Sequence, residues 1–307
     1  MDISFVSGVM SGSMDHLLSP SHLKSFENIS RKDFLSLLKT HQYGRASETN
    51  IDSIMLEEEL KHRQFLESLM DKDHLIFKVL YLTFDHLFLS NLMKSYHLGL
   101  TYNKFTDSLS NFHEERYEDY ILNGVSGLLD LEDISFLDHI KSETTQLDAQ
   151  GISDRVIKIL HDRIITSFNK KTDNYIKKYI ELETTILNVM LLIRSIKYNK
   201  NIEYLEMNIL SGGMIDKHIL MELFDKSLTE IGQYLSLHFD VTLTDAFKYV
   251  GKPNFLDILN DAFNVYRQNL LEDLSFQSLG FATVLHYTIL KRDEMRVLKE
   301  KYYQIKE

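Results

Sequence analysis

Glu59 and His62 stand three residues apart in the run "LEEELKHRQF" (56–65). On a helix, that spacing puts a carboxylate and an imidazole on one face, as in carboxylate-bridged metal centres. Such a centre needs a second Glu-x-x-His on another helix and two further glutamates facing inward. No second copy occurs. Asp71 with His74 is a poor substitute that reads as part of the same helix, and His113–Glu114 does not begin a His-Glu-x-x-His motif. The plainer reading of "EEELKHR" (57–63) is a solvated helix face carrying spaced charges. "GVMSGS" (8–13) has only three residues between its glycines, and Ser13 stands where a phosphate loop needs lysine. No Gly-x-Ser-x-Gly elbow is present, and cysteine is absent altogether. No catalytic residue, no cofactor-binding residue and no metal ligand set is therefore expected, and no cofactor.

The elements that would carry such groups are helices. Two prolines and twelve glycines in 307 residues leave few breakers, and 44% hydrophobic with 26% charged residues describes a folded chain. Leu256, Leu259, Phe263, Tyr266 and Leu270 recur at spacings of three and four; so do Met295, Leu298, Tyr302 and Ile305. Tyr179, Leu182, Ile186, Val189, Ile193 and Ile196 make a third stripe. The eighteen Phe and sixteen Tyr read as packing between long helices. "VTLT" (241–244) alternates like a strand but reads better as the start of a helix, with Thr242 and Asp245 spaced like a capping box. Ser30 with Asp33, and Ser153 before "DRVIKIL", offer the same kind of start, while Asp216 is placed to cap the helix after a turn at Gly212–Gly213. The fold class is all-α.

A net charge of −11 opposes a nucleic-acid partner, which demands a basic face. The absence of thiols fits a reducing, cytoplasmic setting. No apolar run reaches the length of a membrane span, and the start, with Asp2 and no basic cluster, does not read as a signal peptide.

Three short segments look alike: "KDFLSLLK" (32–39), "EDISFLDHIK" (132–141) and "LTDAFKYV" (243–250). Each precedes a long amphipathic helix with a base late in its length. Aligning those bases puts Lys94, Arg194 and Lys299 in register, 100 and 105 residues apart. The expectation is three pseudo-repeated helical lobes, 1–100, 101–200 and 201–307, around a pseudo-threefold axis in one compact, monomeric body. Each base is either a cation that complements a helix carboxyl end or part of a threefold set.

In order along nearly the whole chain, these segments resemble the d-type central-stalk subunits of V-type and archaeal A-type rotary ATPases. "FVSGVMSGSMDHLLSPSHLKSFENISRKDFLSLLKTHQYG" (5–44) is similar to that family's opening, ending at Tyr43–Gly44. Residues 75–99 resemble its first long helix, and "YIKKYIELETTILNVMLLIRS" its second, with Asn188 and Arg194 at matching positions. "ILSGGMIDKHILMELF" resembles its glycine-pair turn, and "SLGFATVLHYTILKRDEMRVLK" its last helix, with Tyr287, Lys291, Glu294 and Lys299 in place. The chain departs from the pattern where Val9, Met10 and Ser11 replace arginines, at Phe88 three after Asp85 where asparagine is usual, and at Thr185 where an acid is common.

The resemblance implies a funnel-shaped, non-catalytic central-stalk socket, peripheral on the cytoplasmic face of the membrane. Such a socket couples the rotor shaft of the ATPase head to the membrane rotor ring for proton or sodium transport, touching the membrane only through that ring. Lys94, Arg194 and Lys299 are the candidate shaft contacts: as a threefold set they would help seat the shaft, whereas as helix-end cations they would leave that contact elsewhere. The acidic charge suits docking onto protein better than onto anionic lipid. The alternatives are a carboxylate-bridged metal enzyme, with Glu59 and His62 as first ligands, and an unrelated helical adaptor.

Overall fold

The structure is a computed structural model that describes residues 2–45, 49–101, 104, 107–127, 129–239, 241–277 and 280–305. Among them it is all-α, with no strand. The chain forms two compact units, one of residues 1–74 with 270–307 and the other of 75–269.

The first unit contains α1 (Ile3–Ser13), α2 (Pro20–Ser25), α3 (Arg31–Thr40) and α4 (Ile51–Leu69). The second starts with α5 (Leu75–Leu80), α6 (Leu82–Leu98), α7 (Glu114–Asn123), α8 (Leu131–Glu143), α9 (Ala149–Thr166) and α10 (Asn174–Lys197). It goes on through α11 (Ile202–Asn208), α12 (Lys217–Phe224), α13 (Leu228–Leu235) and α14 (Val241–Ala246). Then come α15 (Phe255–Gln277), whose residues from Leu270 belong to the first unit, and α16 (Phe281–Gln304).

In the first unit α16 packs against α1 and α4. Met295 and Leu298 join Phe26, Phe34, Leu38, Tyr43 and Ile54 in one core, with Tyr302 and Ile305 at its margin, so the expected C-terminal stripe faces inward. In the second unit α6 lies along α9, and Phe88, Leu92, Tyr117, Leu137, Ile140 and Val156 fill the space among α6, α7, α8 and α9.

Helix starts follow side-chain chemistry. Ser30 caps α3 as expected, accepting from Asp33 N–H at 3.1 Å and donating to its carboxylate at 2.7 Å. Ser153 caps nothing, because α9 begins four residues earlier, where Asp148 accepts from Gly151 N–H at 2.7 Å. Thr242 likewise lies inside α14, and the segment 243–250 finishes in a 3₁₀ turn over Phe247–Tyr249. Asp216 does occupy the N-cap of α12, though without a side-chain bond. A complete capping box, Ser227 with Glu230, stands at the head of α13.

Two helical expectations need revision. The run 75–99 is broken at Tyr81, which stands between α5 and α6; the Phe77 carbonyl keeps its helical bond from Tyr81 N–H (2.9 Å) and also accepts from the Asn111 amide (3.2 Å). On α15 the buried side chains from Phe263 onward are Leu271 and Leu274, with Leu270 only half-buried.

The helix α10 is buried around most of its circumference, including Thr184, Thr185, Asn188 and Ser195. Asn188 ties the following turn by donating to Leu210 C=O and accepting from Leu210 N–H, both at 2.8 Å. Thr185 accepts from Met214 N–H at 2.7 Å. Gly212 adopts φ +82°, and a Cβ on Gly213 would lie 3.1 Å from Thr185 Oγ1. Replacing Asn188 by alanine strands both polar groups of a buried residue. It should lower stability by about 2–3 kcal/mol in urea denaturation; a loss below about 0.5 kcal/mol would show that water substitutes for the amide.

Candidate functional site

The densest polar constellation lies where α16 meets α4 and the segment leading to it. Lys291, buried on α16, donates to the Tyr43 hydroxyl at 2.8 Å and to Glu294 Oε1 at 3.0 Å, and sits 3.5 Å from Glu58 Oε1. Its ammonium also lies 4.1 Å from the centre of the Tyr43 ring. Glu294 accepts from Tyr43 O–H and from Leu18 N–H. Burial, then the Glu294 carboxylate, hold the Tyr43 hydroxyl far above its ordinary range, so it stays protonated and donates. Glu58 receives Gly44 N–H (3.4 Å) and Lys61 (3.3 Å), and Lys61 also donates to Gly44 C=O at 2.8 Å.

Next to it, Arg292 Nε bridges both oxygens of Glu59, at 2.9 and 3.2 Å. His62 Nε2 lies 3.0 Å from Thr288 Oγ1, which itself donates to Val284 C=O. The hydroxyl has only one proton, so His62 Nε2–H is the donor between the two. Burial pushes the imidazole down to about 4. Arg292 and Lys291 act in the same direction, and Glu59 opposes them. Ser7 on α1 completes the seam with a 2.9 Å bond to Thr283.

The charged run on α4 is therefore not a solvated face: Glu57, Glu59 and His62 are all buried. Glu59 and His62 do share a face as their spacing requires, but that face meets α16, and the carboxylate is engaged by Arg292. Among the described residues no group of three or more His, Asp or Glu is arranged to hold a metal ion. Each acid in this seam faces a base or an N–H donor, so the arrangement clamps helices together and leaves no nucleophile poised. Composition could not reveal it, because the partners of Glu59 and His62 stand more than 220 residues along the chain.

A concavity of about 240 Å³ opens in the unit of residues 75–269, with Leu82, Phe112, Leu160 and Ile164 among its apolar walls. Its acids are engaged. Asp85 accepts from Ser110 Oγ (2.8 Å), Asn111 N–H (2.6 Å) and the Asn111 amide (2.8 Å), and Asp133 accepts from Tyr117 O–H (2.6 Å).

The three aligned bases have unlike settings. Arg194 is exposed in the last turn of α10, and half-buried Lys94 lies just before the last turn of α6. Among the described residues neither has an acid within ion-pair distance. Lys299 pairs with Asp52 at 2.6 Å, and Asp52 also accepts from Tyr303 O–H at 2.7 Å. No helix among the described residues is long and apolar enough to cross a membrane. No family model matches the chain, and no curated protein matches it.

Proposed function

We propose that the chain is a non-catalytic central-stalk subunit of a V-type or A-type rotary ATPase. In this reading it is a three-lobed helical socket on the cytoplasmic side of the membrane, coupling the rotor shaft to the membrane ring. The observation that carries the reading is where the resembling residues make their bonds. Tyr43, Lys291 and Glu294, which come from opposite ends of the sequence, meet in one buried cluster. Asn188 closes on the loop that leads into the glycine pair.

The repeat has support of the same kind. Asp85 and Thr185 stand 100 residues apart, the separation of Lys94 from Arg194. Each accepts a backbone N–H from a downstream loop, Asn111 in one case and Met214 in the other. Thr185 makes this bond with a hydroxyl at the position where the family commonly has an acid. Phe88 replaces the family's asparagine with core packing, so the tie made by Asn188 has no counterpart on α6.

The decisive experiment is reconstitution with separately purified shaft subunits and membrane ring. The unmodified chain should bind both. Lys94→Glu/Arg194→Glu should weaken shaft binding at least about tenfold, more so at low salt, with the melting temperature unchanged. Adding Lys299→Glu sets two acids together at Asp52 and should lower stability as well. Unchanged shaft affinity in the double variant would leave these bases as helix-end cations, and absence of binding to shaft and ring alike would sink the rotary reading.

A further inference from the structure

Two acids and three bases line the concavity of the 75–269 unit: Asp85 and Asp133, with Lys78, His113 and Arg163. Formal charges nearly cancel among them, so net charge does not choose a ligand. The hydrogen-bonding capacity left open in the wall does.

The acids are largely closed. Asp85 is buried and takes Ser110 Oγ, Asn111 N–H and the Asn111 amide. Asp133 takes Tyr117 O–H on one oxygen. The bases are far less engaged. Among the described residues neither the Lys78 ammonium nor the His113 ring has a hydrogen-bond or ion-pair partner. Arg163 gives Glu132 one N–H, at 2.9 Å, of the several that a guanidinium carries. Its central carbon lies 4.1 Å from the centre of the Phe136 ring, and Phe136 stacks in turn on Phe112 at 5.8 Å. Arg163 is thus held in place by an aromatic stack with most of its donors still open. A wall whose open groups are chiefly donors calls for a ligand rich in acceptors.

Size and the remaining wall narrow the class. Leu82, Phe112, Leu160 and Ile164 supply apolar contact. A cavity of about 150 Å³ admits benzene, so about 240 Å³ accepts one ring with a small anionic substituent. A dianionic phosphate would meet two carboxylates in the same wall and is disfavoured. A carboxylate carries a single charge and matches the planar fork of arginine.

We propose that this concavity binds a small aromatic monocarboxylate, its carboxylate received by Lys78, His113 and Arg163 and its ring by the apolar wall. The inference is independent of the rotary reading.

Calorimetric titration of the full chain with phenylacetate tests it, beside phenylacetamide, phenethylamine and phenyl phosphate. Phenylacetate should bind with a Kd at or below about 1 mM, and the other three at least about tenfold more weakly. Lys78 is exposed, so Lys78→Met should leave the melting temperature unchanged while weakening phenylacetate at least about tenfold. Lys170→Met, at an exposed lysine outside the concavity, should change neither. Equal affinity for the amide, preference for the amine or the phosphate, or full affinity in Lys78→Met would each overturn the proposal. So would the absence of phenylacetate binding at millimolar concentration.

Discussion

Lys291→Met should cost about 3–5 kcal/mol of unfolding free energy, because it leaves buried Glu294 without its cation beside the half-buried carboxylate of Glu58. Glu294→Leu should cost a similar amount. It strands Lys291, the Tyr43 hydroxyl and Leu18 N–H, all of which point at that carboxylate. The double variant should lose far less than the sum of the two, since removing both charges abolishes the uncompensated burial that makes each single change severe. Urea denaturation of the four proteins measures the coupling. Additive losses would mean that lysine and glutamate contribute through separate neighbours and that the cluster is not a unit.

Acid should destabilise the fold through His62. Its imidazole titrates near 4 in the folded protein against about 6.5 when unfolded, so the fold favours the neutral ring. A group depressed in this direction leaves stability undiminished above pH 6.5. It withdraws up to roughly 3 kcal/mol as the pH falls from 6.5 to about 4, and nothing further below that. His86, His97, His161 and His286 are also lowered, chiefly by burial, and add loss of the same sign. His62→Gln can still donate to Thr288 but does not titrate. Stability measured at intervals between pH 7 and 4 should therefore fall less steeply in the variant. Parallel curves for the two proteins would show that His62 takes up its proton without cost in the folded state.

What sequence could and could not disclose follows from the reach of each signal. Helices were legible because apolar spacing and a scarcity of breakers are local properties, and Ser30 was legible as a cap because its partner lies three residues on. The face of Met295 and Leu298 was legible for the same reason. The burial of Glu59 and His62 was not, because a charged run on a helix looks solvated until Arg292 and Thr288 arrive from the far end of the chain. On α10 the burial of the polar Thr184, Thr185 and Asn188 was not legible either, because it rests on hydrogen bonds to His161, Met214 and Leu210. The break at Tyr81 has no glycine or proline in the run 75–98 to announce it.

The unit that joins residues 1–74 to 270–307 also sets an order of events during synthesis. Tyr43, Glu58 and His62 leave the ribosome early, while Lys291, Glu294 and Thr288 follow only after residues 75–269 have all been made. At about 5–20 residues per second, the α4 face that closes on α16 waits on the order of ten to forty seconds with its acids and imidazole still in water. The second unit has every one of its residues before α16 is made and is free to fold first. Residues 1–74 are thus made before the second unit and completed after it, and a nascent chain that has cleared the ribosome through residue 269 but still lacks α16 would have a second unit free to finish folding and a first unit still open.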